Sequence, residues 1–372
     1  MPEQNSQPIK STDQHFPHIQ YRADKSNGDW GLAHGEEFRA GIQELISIRK
    51  ELMLQKNPRL RPQLNSLAMA QFQTTLDFSP HLALELEGIA NGAGVSLEDI
   101  VILNNYTDFR DIILPDEGCS TVFLKKENRA IVGQTWDMHS SAKNYLCTIA
   151  LPSNKNHSQT IILSLVGCLG LMGLTSKGLF IGVNNINTKN AKAGLIWPAL
   201  VRSTLEAQSL DEMSKRLLKA PVTSGHNYLI SDSTSGQHYE ISPTAKECVS
   251  QVKASQTQAF VFHTNHCLGQ RNKEVEENTS LSSTTFDRYT LLEKNLSKVE
   301  NAYQLLGLLT SHENYPKSIC SHFQSGVLDP SSTCGGGAYD YQSKTLFTWR
   351  GCPVHDINFS QRVFNMDNLA ST

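Results

Sequence analysis

The run Pro115-Asp116-Glu117-Gly118-Cys119-Ser120-Thr121-Val122, followed by Gln134-Thr135-Trp136-Asp137, decides the reading of this 372-residue chain. A cysteine preceded by glycine and entering a β-like run can attack the carbonyl of its own preceding peptide bond and become a new N-terminal residue. The α-amine so freed, with a reference pKa of about 7.7–8.0, accepts a proton near neutrality and serves the thiol as its base. Gly118 suits such a bond because it tolerates backbone strain and lets the sulfur approach closely. Taken alone, Gly-Cys-Ser-Thr also describes a buried cysteine opening a strand.

The sequence pattern changes at the same point. Before Cys119, Phe38, Ile42, Leu45 and Leu52 recur at helical spacing, Leu82, Leu86 and Ile89 repeat the trend, and Ser96 with Asp99 forms a helix-opening box. After it come short β-like runs: Thr121–Leu124, Ala130–Gln134, Tyr145–Leu151, Thr160–Val166 and Leu179–Val183. A helix is predicted over Trp197–Leu218, with Ser209 a cap inside it, then strands at His226–Ser231, His238–Ile241 and Ala259–Thr264. Helices around Asp287–Leu296 and Ala302–Leu309 and a hairpin from Thr333 to Trp349 finish the chain. Strands grouped into sheets with helices grouped between them predict an α+β layered fold and not an alternating parallel one.

Composition narrows the function classes. With 33 basic and 36 acidic residues and a net charge of -3, the chain has no bias toward nucleic acid or an anionic membrane. Residues 1–25 are polar without an apolar core, which predicts a disordered N-terminal arm and neither a signal peptide nor a membrane anchor. No membrane span is expected, and the expected location is cytoplasmic. Eight cysteines are scattered without a Cys-x-x-Cys pair, so most are expected to be small buried hydrophobes.

Further landmarks accompany Cys119. They are Gly31-Leu32-Ala33-His34-Gly35, Leu86-Glu87-Gly88-Ile89-Ala90 with Asn91-Gly92-Ala93-Gly94, His263-Thr264-Asn265-His266-Cys267-Leu268, and Asn314-Tyr315-Pro316-Lys317-Ser318-Ile319-Cys320. In this order, from residue 30 to about 350, the chain resembles the acyl-coenzyme A:6-aminopenicillanic acid acyltransferase family. That family is a branch of the N-terminal nucleophile hydrolases that includes β-alanyl-dopamine hydrolase-like enzymes.

The resemblance implies a four-layer αββα sandwich and self-cleavage of a zymogen between Gly118 and Cys119. A helical α chain, residues 26–118 behind the arm, would be released from a β chain of residues 119–372 and stay associated with it. The Cys119 thiolate would attack an amide or thioester carbonyl, and the acyl-enzyme would pass to water or an amine. By the same resemblance Asp137 assists processing or orients the α-amine, and Asn265 donates its side-chain amide to the oxyanion. Read without the resemblance, Asp137 is a turn aspartate and Asn265 a turn asparagine bonded to its own backbone. One departure stands out: the arginine that the penicillin-forming members carry before the penultimate strand is missing from Asp329-Pro330-Ser331-Ser332-Thr333.

Thr121, Asp111 and Tyr315 are the candidates for substrate contacts, and Asp108, Asp111 or Glu240 could face the ammonium of a β-alanyl substrate. His263 and His266 form too thin a ligand set for a metal, so no metal and no cofactor are expected. Three functions follow. The first is hydrolysis of a linear N-acyl or β-alanyl amide. The second is acyl transfer from a coenzyme A thioester to an amine, for which Lys125-Lys126 with Arg129 is the one basic cluster after Cys119. The third is a non-catalytic, uncleaved binding protein. The expected partners are a small-molecule amide and the protein's own cleaved α chain, with no nucleic acid or membrane, and a higher oligomer of αβ units is compatible with the sequence.

Overall fold

The helical periodicity of the first hundred residues resolves into six helices in the computed structural model, which describes residues 16–110, 118–154, 158–278, 283–322 and 329–369. After strand β1 (His18–Gln20) come α1 (Asn27–Glu37), α2 (Arg39–Lys56), α3 (Leu64–Phe78), α4 (Pro80–Ala93), α5 (Leu97–Asn104) and α6 (Tyr106–Arg110). Strands β2 (Cys119–Lys126), β3 (Arg129–His139), β4 (Leu146–Leu151), β5 (Thr160–Leu165), β6 (Met172–Thr175) and β7 (Phe180–Asn185) follow. Next are α7 (Trp197–Leu205), α8 (Leu210–Lys219), β8 (His226–Ser231), β9 (Gly236–Ile241), β10 (Lys246–Val252) and β11 (Gln258–His263). The chain closes with α9 (Gln270–Lys273), α10 (Thr285–Asn295), α11 (Ala302–Leu309), β12 (Ser331–Asp340), β13 (Thr345–Arg350) and β14 (Ser360–Asn365).

The strands form an eight-stranded sheet, ordered β1-β4-β5-β6-β7-β8-β9-β10, and a six-stranded sheet, ordered β11-β2-β3-β12-β13-β14. They lie face to face, as the period-2 alternation of β2 requires. Cys119 and Phe123 join the core shared with the eight-stranded sheet, whereas Val122 and Leu124 pack with Leu291, Leu292, Leu305 and Leu309 of α10 and α11. Gln134 bridges the two sheets: its Nε2 donates to the Val183 carbonyl at 2.6 Å, and its Oε1 accepts from the Val183 N–H at 2.8 Å. Helices α7 and α8, with the N-terminal helices, cover the other outer face. The fold is therefore the four-layer αββα sandwich, an α+β architecture.

Two of the sequence landmarks are explained by packing, not chemistry. A Cβ on Gly31 would lie 2.1 Å from the Glu85 carbonyl oxygen, and one on Gly92 2.2 Å from that of Leu32. Gly35 and Gly88 are equally closed, so α1 and α4 touch backbone to backbone and any larger side chain forces them apart.

One expectation is corrected here. Of residues 1–25, predicted as a disordered arm, Phe16 is buried and His18–Gln20 adds a parallel strand to β4, because Phe16 and Tyr21 are large apolar anchors; residues 1–15 lie outside the described set. The helical interval predicted over Trp197–Leu218 is two helices, and Ser209 caps the second as expected, accepting the Glu212 N–H at 3.2 Å. The strands β1, β6, β10 and β14 carry too little alternation to be read in advance. Among the described residues no helix is long and apolar enough to cross a membrane.

A buried ion pair joins the N-terminal helices to the rest. Glu85 on α4 is fully buried and accepts from Arg202 on α7 at 2.7 and 2.9 Å, with further bonds from Asn27 at 2.9 Å and Tyr21 at 3.3 Å. Removing the cation leaves a carboxylate in the core, which costs about 3–5 kcal/mol. Arg202→Met should lower stability by that amount in chemical denaturation; a loss under about 1 kcal/mol would show that the pair is not needed.

His34 beside it gives a pH dependence. Its Nε2 accepts the Gly167 N–H at 2.8 Å, so Nδ1 carries the proton toward the Tyr21 hydroxyl oxygen at 3.0 Å. Burial first, and the Arg202 charge second, pull its pKa from 6.5 to about 3. The unfolded chain then takes up a proton below about 6.5 that the folded chain refuses until about 3, so stability is complete above that window and falls through it, by at most about 1.4 kcal/mol per pH unit. Thermal melts of wild type and His34→Gln between pH 7 and 4 should show a steeper acid loss in wild type; parallel curves would contradict this.

Candidate active site

Strand pairing assembles the site at one end of the six-stranded sheet. Cys119 opens β2 opposite Trp136 of β3, and this register sends the Asp137 N–H to the Gly118 carbonyl oxygen at 2.9 Å. On the other side His263 of β11 pairs with Thr121, so the chain leaving β11 brings Asn265 beside the start of β2. Asn265 Oδ1 accepts the Cys119 backbone N–H at 2.8 Å, and its Nδ2 donates to the Asn185 carbonyl at 2.8 Å. Those partners, one a donor and one an acceptor, fix which end of the amide is which. Thr333 of β12 donates its hydroxyl to Asp137 Oδ1 at 2.7 Å.

The structure thus brings Gly118, Cys119, Asp137 and Asn265 together. It adds Arg288, which sequence reasoning missed. From α10 its Nη1 donates to the Cys119 carbonyl at 2.6 Å and to Ser120 Oγ at 3.1 Å, and its Nη2 donates to Asn265 Oδ1 at 2.7 Å. Burial lowers the Arg288 pKa, while the Asp137 carboxylate and Cys119 push it back toward the charged form. One signal was available: a basic residue in the first turn of a helix opposes the helix dipole, so it needs a compensating partner elsewhere. Arg288 Nη2 and Asp137 Oδ2 also flank Gly118, where a Cβ would lie 2.6 Å from the first and 2.8 Å from the second. A larger residue before the nucleophile would have to displace both of these site groups.

The loop that presents Asn265 is pinned by Glu240, which accepts from His263 Nε2 at 2.8 Å and from the N–H groups of Leu268 and Gly269. Burial alone would raise the Glu240 carboxyl; the His263 bond, with those two N–H groups, holds it below its ordinary value. His263 Nδ1 contacts the Thr264 carbonyl oxygen at 2.7 Å, so both ring nitrogens are engaged within the loop. His266 lies between the Thr264 and Thr285 hydroxyls, and burial lowers its pKa to about 4.

Cys119, Asp137 and Asn265 line a cavity of about 20 Å³, room for about one water, walled by Trp136, Met138, Leu171, Val183 and Trp197, with His226 at its edge. Thr121 is buried without lining this cavity, and Tyr315 is half-exposed, its hydroxyl donating to the His322 carbonyl at 3.3 Å. Asp111 lies outside the described residues. Asp108 is buried behind the cavity wall, its carboxylate 3.4 Å from His226 Nε2. Lys125, Lys126 and Arg129 lie at the far end of β2 and β3: Lys125 donates to the Thr234 and Ala254 carbonyls, Lys126 pairs with Glu300, and Arg129 with Asp340.

Residues 124–331, more than half the chain, match the family model described as acyl-coenzyme A:6-aminopenicillanic acid acyl-transferase. The chain belongs to this family. One acyl-transferase family relative is the acyl-coenzyme A:6-aminopenicillanic-acid-acyltransferase 40 kDa form of Emericella nidulans, 26% identical over 351 residues that cover 92% of this chain and 95% of the relative. Solved structures similar to it include a Caenorhabditis elegans N-acylethanolamine-hydrolyzing acid amidase ortholog, at 13% identity and TM-score 0.39, covering 59% of this chain and 92% of that one. Another is penicillin V acylase from Agrobacterium tumefaciens, at 14% identity and TM-score 0.38, covering 68% of this chain and 87% of that one. Membership in the acyl-transferase family supports enzymatic acyl-group chemistry in the general sense.

Proposed function

We propose that the protein is a self-processing cysteine amidohydrolase, cut between Gly118 and Cys119, that cleaves a linear N-acyl or β-alanyl amide through an acyl-enzyme on Cys119. The observation that carries this reading is the set of bonds around the Gly118–Cys119 peptide. During processing the Cys119 sulfur attacks the Gly118 carbonyl, and the oxyanion forms where the Asp137 N–H already donates. Water then resolves the thioester, leaving chains 1–118 and 119–372.

The freed Cys119 amine inherits the acceptor Asn265 Oδ1, and the Arg288 guanidinium beside it favours a neutral amine, the form that acts as base. That amine takes the thiol proton, the thiolate attacks the substrate carbonyl, and the resulting ammonium protonates the leaving amine. Asn265 Nδ2 gives one N–H to Asn185 and has a second for the substrate oxyanion. The aromatic and aliphatic walls suit an apolar group.

Hydrolysis is preferred over transfer because the basic cluster that could hold coenzyme A phosphates is committed to internal partners far from Cys119. Release of free amine from a panel of N-acyl and β-alanyl amines, with and without acyl-coenzyme A, decides the matter. Amine release without thioester is expected; strict dependence on the thioester would make the protein a transferase.

A further inference from the structure

At the same end of the six-stranded sheet as Cys119, but across β3 and β12 from it, four metal-ligating side chains converge from three separate segments. His312, and beyond a turn Cys320 and His322, follow α11, with His322 bridged to Ser332 of β12, and Cys352 follows β13. One donor atom of each lies within 4.8 Å of all the others. Cys320 Sγ is 3.4 Å from His322 Nε2, and Cys352 Sγ is 3.4 Å from His312 Nε2. In a tetrahedral zinc site with Zn–S of about 2.3 Å and Zn–N of about 2.0–2.1 Å, a sulfur and a nitrogen ligand stand roughly 3.5 Å apart. The two observed S···N distances already match that edge.

We propose that His312, Cys320, His322 and Cys352 bind one Zn²⁺ as a structural ion. Two thiolates and two neutral imidazoles around a divalent cation make a site with no net charge, which suits the burial of both sulfurs. The soft S₂N₂ donor set in tetrahedral arrangement selects zinc over magnesium or calcium. Binding displaces the two thiol protons to solvent, past the half-exposed histidines.

The surroundings are those of a thiolate ligand. The Val354 N–H points at the Cys352 sulfur at 3.4 Å. The Cys352 N–H is fixed by Asp356 Oδ2 at 2.6 Å, and the His355 ring stands edge-on to both His312 and His322, with centroids 4.8 and 4.9 Å away. Such support orients ligands and tunes their basicity.

The ion would clamp the segment after α11 to the turn after β13, and this reaches the active site. The Thr333 N–H donates to the Ser321 carbonyl at 2.9 Å, the Ser321 N–H donates to Thr333 Oγ1 at 2.8 Å, and the Thr333 hydroxyl is the one that donates to Asp137. The expectation of no metal was drawn from His263 and His266 alone; this set is scattered over forty residues of chain, with Cys320 and His322 the one close pair.

The test uses purified full-length protein. Elemental analysis should find close to one zinc per chain after dialysis, and Co²⁺ loaded in its place should give the absorption of a tetrahedral cobalt–thiolate site. Cys352→Ser and His322→Ala should bind zinc at least about 10- to 100-fold more weakly, while Cys248→Ser, at an exposed cysteine elsewhere, should not. Wild-type protein that takes up neither zinc nor cobalt would overturn the proposal, whatever the variants do. So would a non-reducing peptide map in which Cys320 and Cys352 are joined by a disulfide. None of these readouts depends on the activity of Cys119.

Discussion

Cys119→Ala should leave a single uncut chain and lower amine release by about 10⁴-fold or more, the size of effect seen when a nucleophile is removed from a group of residues that act as a unit. Both losses have one cause: the sulfur that opens the Gly118 carbonyl is also the one that takes up the acyl group. The methyl of alanine fills the place of the Cys119 side chain without strain, and Cys119 is buried, so the variant should fold. Intact-mass analysis of the purified variant checks the first part and an amine-release assay the second. A fragment starting at residue 119 in this variant would show that another agent cuts the chain, and retained turnover would remove Cys119 from the chemistry.

Arg288→Met carries the second large effect. Arg288 is fully buried and spends its donors on the Cys119 carbonyl, Ser120 Oγ and Asn265 Oδ1, so one side chain holds both the nucleophile's backbone and the asparagine beside it. Losing those fixed donors should slow appearance of the processed chains by about 10²–10³-fold, comparable to removing one oxyanion donor. Arg288→Lys should recover only part of this rate, because an ammonium cannot span three acceptors as a planar guanidinium does. Time courses of chain cleavage in the three proteins measure it. Equal rates in Arg288→Met and wild type would make Arg288 a packing residue only, whatever its effect on stability.

The two variants separate two kinds of knowledge. Cys119, Asp137 and Asn265 were singled out through the family resemblance of the short runs that hold them; read by themselves those runs describe a buried cysteine and two turn residues. The α+β layering was legible from the switch from helical to alternating patterns at Cys119, whereas the four-layer sandwich followed from the resemblance. Arg288 was not, since its role comes from how α10 lies on the sheet, and that is set by Leu291 and Leu292 packing on Val122 and Leu124. The zinc ligands escaped for a similar reason: β12 and β13 fold back as a hairpin, and only that pairing brings Cys352 to Cys320. Strand β10 was missed because, at the edge of its sheet, it is mostly half-exposed and polar, and β6 because Gly173 breaks its run. Gly31, Gly35, Gly88 and Gly92 were seen as landmarks but not understood, because backbone contact between helices leaves no residue type except the smallest.

The central claim is that this chain makes its own nucleophile, and the intact mass of purified wild-type protein, measured without added protease, tests it most directly. Two chains, 1–118 and 119–372, with an unmodified cysteine at the start of the second, are the expected result. A single full-length species that persists on prolonged incubation would contradict it.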